Sequence, residues 1–424
     1  MHPSTCSGCP ELVEGQGSPP FKQSPERGWR VAAVASHPIQ YQAPWFRALA
    51  GAVDLDVFFC HRQDAEGQAA AGYGTPFEWD VPLLDGYRHH WLENRSARPN
   101  VSSYGGCDTP GVDAALGDGQ FDACIVNGWY LKSYLQAVRA CRRHHIRVLV
   151  RGDSHLGTPR SPVKSALKWL PYRLLLDRVD AHLYVGQANK AYLKHYGVPE
   201  QRLFFVPHFV DNAFFADRAE ASRREGQAGA IRSELGIRPQ STVALFVGRL
   251  VPMKRPEDFV AGVGLAARAG SPVEGIVVGS GPLLDHLQSL GARTQAPIRF
   301  AGFRNQTELP AFYAAADVLV LPSDGRETWG LVVNEAMACG LPAIVSSAAG
   351  CAPDLIEDGA TGYTFPCGNV PALSERLALL ARELQARRGD IVRSVRSRIA
   401  GYSCSAAVEA TLGALERVCP RVEE

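Results

Sequence analysis

Residues 316–346 read ADVLVLPSDGRETWGLVVNEAMACGLPAIVS. An apolar, β-branched run (DVLVLPS) ends in a polar loop (DGRET). GLVVNEAMAC follows with apolar residues at helical spacing, Gly340 placed as its cap and Pro342 just beyond. LPAIVS then begins another apolar run. Continuous rather than alternating apolar strands indicate a sheet covered on both faces, so strand, helix and strand here make a parallel β-α-β unit.

The same rhythm runs through most of the chain. TVALFVGRL (242–250), EGIVVGSG (274–281) and IRFAGF (298–303) precede the quoted stretch as strands. An earlier series comprises WRVAAVAS (29–36), LDVFFC (55–60), FDACIVNG (121–128), IRVLVRGD (146–153), AHLYVGQ (181–187) and RLFFVPH (202–208). APWFRALAGA (43–52) and LKSYLQAVRACRRHH (131–145) carry helical patterns between them. Residues 212–240, rich in charge, Ala and Gly, interrupt the series. We expect an α/β fold of two Rossmann-like, doubly wound domains facing a central cleft. The first occupies 29–212, a linker and lead-in helix 213–240, the second domain 241–400, and a helix in 401–424 returns to the first domain. Ligands of such sheets bind where strands end in loops and helix N-termini, so residues directly after strands are the ones to weigh.

At 424 residues the chain is too long for one core. The 44 basic and 43 acidic residues leave a net charge of +1, which gives no reason to expect nucleic acid. No apolar run is long enough to span a bilayer. Residues 1–28, polar and rich in Pro and Gly, lack the features of a secretion signal and read as a disordered tail. Cys6 and Cys9 form a lone CxxC, weak as a zinc site without a second pair. The eleven scattered cysteines fit reduced, partly buried thiols of a cytoplasmic protein.

Arg249 and Lys254, in GRLVPMKRPEDF, follow one strand. Alone they read as a solvated basic turn, but their position suits an anionic ligand such as a diphosphate, with Arg a planar fork and Lys a point charge. Gly248 opens that loop. Gly279 and Gly281 mark the next strand-to-helix turn, where glycine is common for steric reasons alone. No complete GxGxxG or P-loop motif occurs, which argues against a dinucleotide enzyme or a P-loop NTPase. Glu327 falls in the loop of the quoted stretch, and the amides of Trp329, Gly330 and Leu331 fall at the helix start. Glu335 lies about one turn on. A carboxylate on the loop and another on the helix can grip two polyols flanking a diphosphate, the layout of a sugar joined by a diphosphate to a ribose. Read singly, Glu327 is a solvated loop residue and Glu335 an ordinary helix charge.

VGRLVPMKRPEDF, VVGSGPLLDHL, FAGF, the quoted stretch and GCAPDLIEDGATGYTF together resemble the C-terminal domain of the retaining GT-B glycosyltransferases of family GT4, continuously from about 241 to 370. The resemblance implies a GT-B fold and transfer of a sugar from a nucleotide diphosphate donor to an acceptor hydroxyl, with retention and without a metal or other cofactor. It implies that Arg249 and Lys254 neutralise the diphosphate, that Glu327 contacts the donor sugar near its reacting end, and that Glu335 binds ribose hydroxyls. Donor contacts would extend through Thr328 and the amides of Trp329 to Leu331, with the base near Phe303, Arg304 and Asn305. The family usually reads Glu-Gly-Phe-Gly where this chain has Glu327-Thr328-Trp329-Gly330. The N-terminal half matches more loosely. GVPEQRLFFVPHFVDNAFF resembles the stretch ending the first domain, with His208 and Phe209 in place of Asn-Gly. SHPIQYQAPWF stands where many members have a Gly-rich loop, so His37, Gln40 and Gln42 are candidates for the acceptor side. In LVRGDSHLGTPR, Asp153 and His155 compete for the slot of a His beside the reacting carbon.

SPVKSALKWLPYRLLLDRVD (161–180) interleaves Lys164, Lys168, Arg173 and Arg178 with Leu167, Trp169, Leu170, Leu174 and Leu175. It reads first as a core-packing helix with a solvated basic face, and also as a peripheral membrane surface suited to a lipid-linked acceptor. Rivals to a transferase are a nucleotide-sugar epimerase, a phosphorylase on the same paired domains, and a sugar-nucleotide-binding module without turnover. The nucleotide, the sugar, the acceptor and the oligomeric state leave no sequence signal.

Overall fold

A computed structural model describes residues 28–158 and 161–420. The N-terminal sheet has seven strands: β1 Arg30–Ala35, β2 Asp54–Phe59, β3 Arg88–Trp91, β4 Ala123–Val126, β5 Arg147–Gly152, β6 Ala181–Tyr184 and β7 Leu203–Phe205. Their order is β3-β2-β1-β4-β5-β6-β7. The C-terminal sheet has six, β8 Thr242–Val247, β9 Val273–Val278, β10 Ile298–Gly302, β11 Val318–Leu321, β12 Ala343–Ser346 and β13 Gly362–Phe365, in the order β10-β9-β8-β11-β12-β13. The pairings of β8 with β9 and β11, and of β1 with β2 and β4, are parallel. In each sheet the order reverses beside the first strand, so β1 and β4, and β8 and β11, diverge at their carboxyl ends into a crevice.

Central strands are fully buried along their length, as in β8 and β11. The expectation missed two edge strands. β3 reads RHHW with alternate residues exposed, and β13 is a short GYTF, so neither has the two-sided apolar signature. Residues 212–240 hold two helices, Asn212–Arg224 and Gln227–Glu234, rather than a linker and one helix. Phe215, Ala219 and Ile237 join the C-terminal core, so this segment packs as part of that lobe. The helix Cys404–Val418 returns to the N-terminal sheet, where Ala407, Val408, Ala414 and Leu415 share a cluster with Phe46 and Leu183.

All nine described cysteines are free thiols, six of them buried. The CxxC of Cys6 and Cys9, and the tail it belongs to, lie outside the described residues. Among the described residues no helix is long and apolar enough to cross a membrane.

Helix Pro162–Leu176 departs from the core-packing expectation. Leu176 is buried and Tyr172 and Leu175 pack against the N-terminal core, but Val163, Leu167, Leu170 and Leu174 face outward. The helix meets the lobe along one edge only, so the remaining leucines have no protein surface to cover them.

Candidate active site

The loop after β8 turns through Pro252–Lys254 and a left-handed Arg255 before helix Pro256–Arg268. The loop after β11 is tied to it, since Asp324 N donates to Met253 O at 2.9 Å. Within this frame Lys254 Nζ forms an ion pair with Glu327 Oε2, and Ser323 Oγ donates to the same oxygen at 3.0 Å. Glu327 is 8% exposed. A carboxylate this shielded is held in place by its two partners, not by solvent. The loop carboxylate of the sequence is therefore a fixed feature, and reading Glu327 as a solvated residue does not fit.

Glu335 differs from its expected place. It is fully buried, with Tyr41 OH donating to Oε1 at 2.7 Å and Tyr313 OH donating to Oε2. Burial raises its pKa, while hydrogen bonds from Tyr313, Tyr41 and Gln306 and the nearby Lys254 charge work against that rise. Tyr41 follows β1, so an N-terminal side chain closes over a C-terminal carboxylate. Helical spacing places Glu335 one turn into the helix, but nothing in the sequence signals the two tyrosines that cap it.

Helix Val332–Ala338 starts at Leu331, and no side chain caps it. With two turns it makes a small dipole, so Arg249 and Lys254 carry more of any anion's charge than the helix does. Gly330 has φ 106°, and a Cβ there would lie 2.5 Å from Leu321 Cδ2, so only glycine fits. The Trp329 ring turns away from the helix tip into the contact between lobes, against His208 and Tyr402, with its Nε1 donating to Asn334 Oδ1 at 2.8 Å. Gly186 leaves the space the ring fills.

The remaining candidates separate by environment. Arg249 lies over the Tyr73 ring at 5.8 Å. A Cβ at Gly279 would collide with the Gly248 carbonyl, and one at Gly281 would lie 2.7 Å from Leu250 O, so packing between loops explains both. The corresponding space at Gly248 is open. Phe303 packs on Phe77 and Tyr73, with ring centroids 4.5 and 6.0 Å apart. Arg304 pairs with Glu308 and lies over Phe312, turned away from the Glu327–Glu335 group. Thr328 Oγ1 donates to Asp153 Oδ2 at 2.6 Å across the cleft, whereas buried His155 accepts from Gly157 N at 3.3 Å. Asp153 is thus joined to the Glu327 loop.

On the acceptor side, burial and the His61 charge push the His37 pKa down to about 4, so this ring is neutral near pH 7, and its Nδ1 meets Ser36 Oγ at 3.0 Å. A neutral His37 is no electrostatic phosphate ligand. Gln40 sits beside Tyr41 and interacts with its hydroxyl. Gln42 Oε1 and Asn127 Nδ2 are buried without a hydrogen-bond partner, at the ends of β1 and β4. Such orphaned atoms fit ligand hydroxyls. Asn127 escaped the sequence reading, although its position directly after a strand was a usable signal. Beside Pro38 lies a cavity of about 320 Å³ lined by Arg62, Gln68, Phe77, Trp79 and Trp91. A cavity of about 690 Å³ lies away from these groups, among Phe205, Glu357, Arg393 and Tyr402.

Segment 73–80 of the N-terminal lobe straps across to the other lobe, another feature without a motif. Ser280 Oγ donates to Tyr73 O, Asn305 Nδ2 donates to Glu78 O at 2.7 Å, and Thr307 N donates to Asp80 at 3.2 Å. Among the described residues no three His, Cys, Asp or Glu side chains gather as a metal site.

Residues 228–393 match the family model described as glycosyl transferases group 1. The matched residues hold Arg249, Lys254, Arg304, Glu327 and Glu335, every charged residue expected on the donor side. Over 191 residues the chain is 35% identical to a D-inositol 3-phosphate glycosyltransferase of Streptomyces bingchenggensis, covering 42% of this chain and 40% of that protein. Over 240 residues it is 31% identical to the protein of the same name from Kineococcus radiotolerans, covering 52% and 53%. The chain thus spans about half the length of the curated relatives it matches. Across both lobes it superposes on Anabaena HepE in complex with UDP and glucose, with a TM-score of 0.65, 16% identity, and coverage of 92% of this chain and 99% of that one. A glycosyltransferase from Rickettsia africae gives a TM-score of 0.69 at 12% identity, covering 94% and 100%. These likenesses establish the GT-B fold.

Proposed function

We propose that the protein is a retaining glycosyltransferase that moves a sugar from a nucleoside diphosphate to an acceptor hydroxyl, with no resident metal or cofactor. One observation carries this: two cations and two carboxylates from the ends of β8 and β11 converge beneath the N-terminal lobe. Lys254 pairs with Glu327 and its charge reaches Glu335, while Arg249 and Glu335 both act on Tyr73. Four charged groups around one trough suit a ligand with a dianionic centre and hydroxyls on either side.

In the reaction the bond from the anomeric carbon to the diphosphate oxygen breaks as the acceptor oxygen bonds to that carbon. Arg249 and Lys254 stabilise the charge building on the leaving diphosphate, whose oxygen takes the acceptor's proton. Lys254 is already fixed near the sugar end by Glu327, so it needs little reorganisation. Glu335 takes ribose hydroxyls in exchange for the Tyr41 hydroxyl. Gln42 and Asn127 receive the acceptor, and residues 161–180 give the protein a peripheral membrane contact. The neighbour in complex with UDP and glucose supports a nucleotide sugar as donor class.

Thermal-shift screening against a panel of nucleotide sugars tests this, because a ligand that binds only the folded chain raises its midpoint. We expect one donor to stabilise the protein and Arg249→Ala with Lys254→Ala to abolish the shift. A double variant that responds like the parent would sink the donor site. Conversion of donor without acceptor would point instead to an epimerase, and a need for inorganic phosphate to a phosphorylase.

A further inference from the structure

Helix Pro162–Leu176 presents Val163, Leu167, Leu170 and Leu174 at 69, 73, 55 and 56% exposure. Their spacing of four, three and four residues puts them on one face. Leu156, 50% exposed, lies in the loop leading into the helix. Isolated exposed leucines are ordinary, but a continuous stripe of four on one helix is a contact surface without its partner. Between Asp153 and Asp177 the sequence has no acidic residue and four basic ones, Arg160, Lys164, Lys168 and Arg173. Lys168 and Arg173 are exposed and held over the Tyr172 and Trp169 rings, which fixes both cations beside the apolar stripe.

We propose that this face docks on an anionic lipid bilayer. Leucines enter the boundary between headgroups and acyl chains while the flanking cations meet lipid phosphates. Charge decides between this occupant and a second copy of the chain. A self-paired helix would set Lys168 and Arg173 against the same cations of its partner, with no acid in the helix to offset them, whereas an anionic surface complements them. Pro171 removes the backbone bond to the Leu167 carbonyl, and a lipid-water boundary can hydrate that carbonyl. The loop entering the helix also holds His155, and Gly157 packs against Gly325 two residues before Glu327. The docked face therefore adjoins the mouth of the cleft. The docking stands on exposure and charge alone; that it delivers a lipid-linked acceptor rests on the transferase reading above.

Co-sedimentation of the full chain with vesicles of phosphatidylcholine, with and without about a third phosphatidylglycerol, tests the docking directly and needs no activity. We expect at least tenfold more protein on the anionic vesicles, falling as salt rises. Leu167→Asp should lose at least tenfold of that binding, and Lys168→Glu a smaller share. Both variants should keep the parent's thermal midpoint, since each side chain is exposed. Failure to bind either vesicle, or a Leu167→Asp variant that binds like the parent, overturns the proposal. So does a dimer in sedimentation velocity that Leu167→Asp converts to monomer while vesicle binding is absent, because the stripe would then be a self-association face. Donor-dependent thermal shifts are read separately, so loss of either result leaves the other standing.

Discussion

Tyr41→Phe is the most informative single change. The Tyr41 hydroxyl donates to Glu335 at 2.7 Å, joining the end of β1 to a buried carboxylate of the opposite lobe. Hydrogen bonds to a charged group contribute about 1.5–3 kcal/mol. A donor whose ribose needs Glu335 must first break this bond, so its apparent affinity carries that cost. Removing the hydroxyl leaves Glu335 with Tyr313 and Gln306 and lifts the competition. If half to all of the bond's worth returns to binding, the apparent Kd for the donor should tighten by roughly 3- to 140-fold, taking 1.4 kcal/mol per factor of ten.

Calorimetric titration with the donor found by thermal shift is the suitable assay. Unfolding is a poorer readout, because a chain of two lobes does not unfold in one step. The aromatic ring remains in Tyr41→Phe, so packing is preserved and only the hydroxyl is tested. Weaker binding in the variant would mean that Tyr41 contacts the donor directly, and unchanged binding would mean that the ribose never reaches Glu335. Either result refutes the exchange.

Three further predictions concern the site and its frame. Glu327→Ala should collapse turnover by at least a hundredfold and take from Lys254 its ion pair with Glu327 in a shielded position, while Glu335→Ala should mainly weaken donor binding; both are read from kcat and KM. Gly186→Ala should lower the thermal midpoint, because its Cβ would overlap the Trp329 ring and lie 2.8 Å from Asp354 Oδ2, an overpacking worth about 1–3 kcal/mol. Acid should destabilise the protein through His37: with a pKa of about 4 folded against 6.5 unfolded, the unfolded chain takes the proton first. That contribution is complete above pH 6.5, is lost as pH falls towards 4, and amounts to at most about 3 kcal/mol. His37→Gln should flatten this part of the midpoint-against-pH curve.

Both sheets were legible in the sequence because their central strands are buried on two faces and therefore leave unbroken apolar runs. β3 and β13 were not, since an edge strand has one covered face or only four residues in which to show a pattern. The positions of four charged residues were equally legible: Arg249, Lys254, Glu327 and Glu335 directly follow strands or sit one turn into a helix, places that spacing fixes. What spacing cannot fix is the partner brought by the other lobe. Tyr41 lies 294 residues from Glu335, and Asp153 lies 175 from Thr328. Neither pair shares an element, so each forms only when two separate domains meet. Trp329 illustrates the same limit, because spacing places its amide at the helix start but not its ring, which packs between the lobes against His208 and Tyr402.

These cross-lobe pairs have a common physical origin. Carboxylates and cations in a shielded cleft need partners, because each buried charge without one costs several kcal/mol. The protein supplies them from its own side chains. Tyr41 covers Glu335, Glu327 holds Lys254, Tyr73 lies under Arg249, and Phe77 covers Phe303. On the proposed reading, donor binding exchanges these partners, so its free energy is the difference between two well-satisfied states and strong contacts yield only moderate affinity. The expected outcome is that removing a contact the bound donor does not use tightens the donor, and strengthening one weakens it.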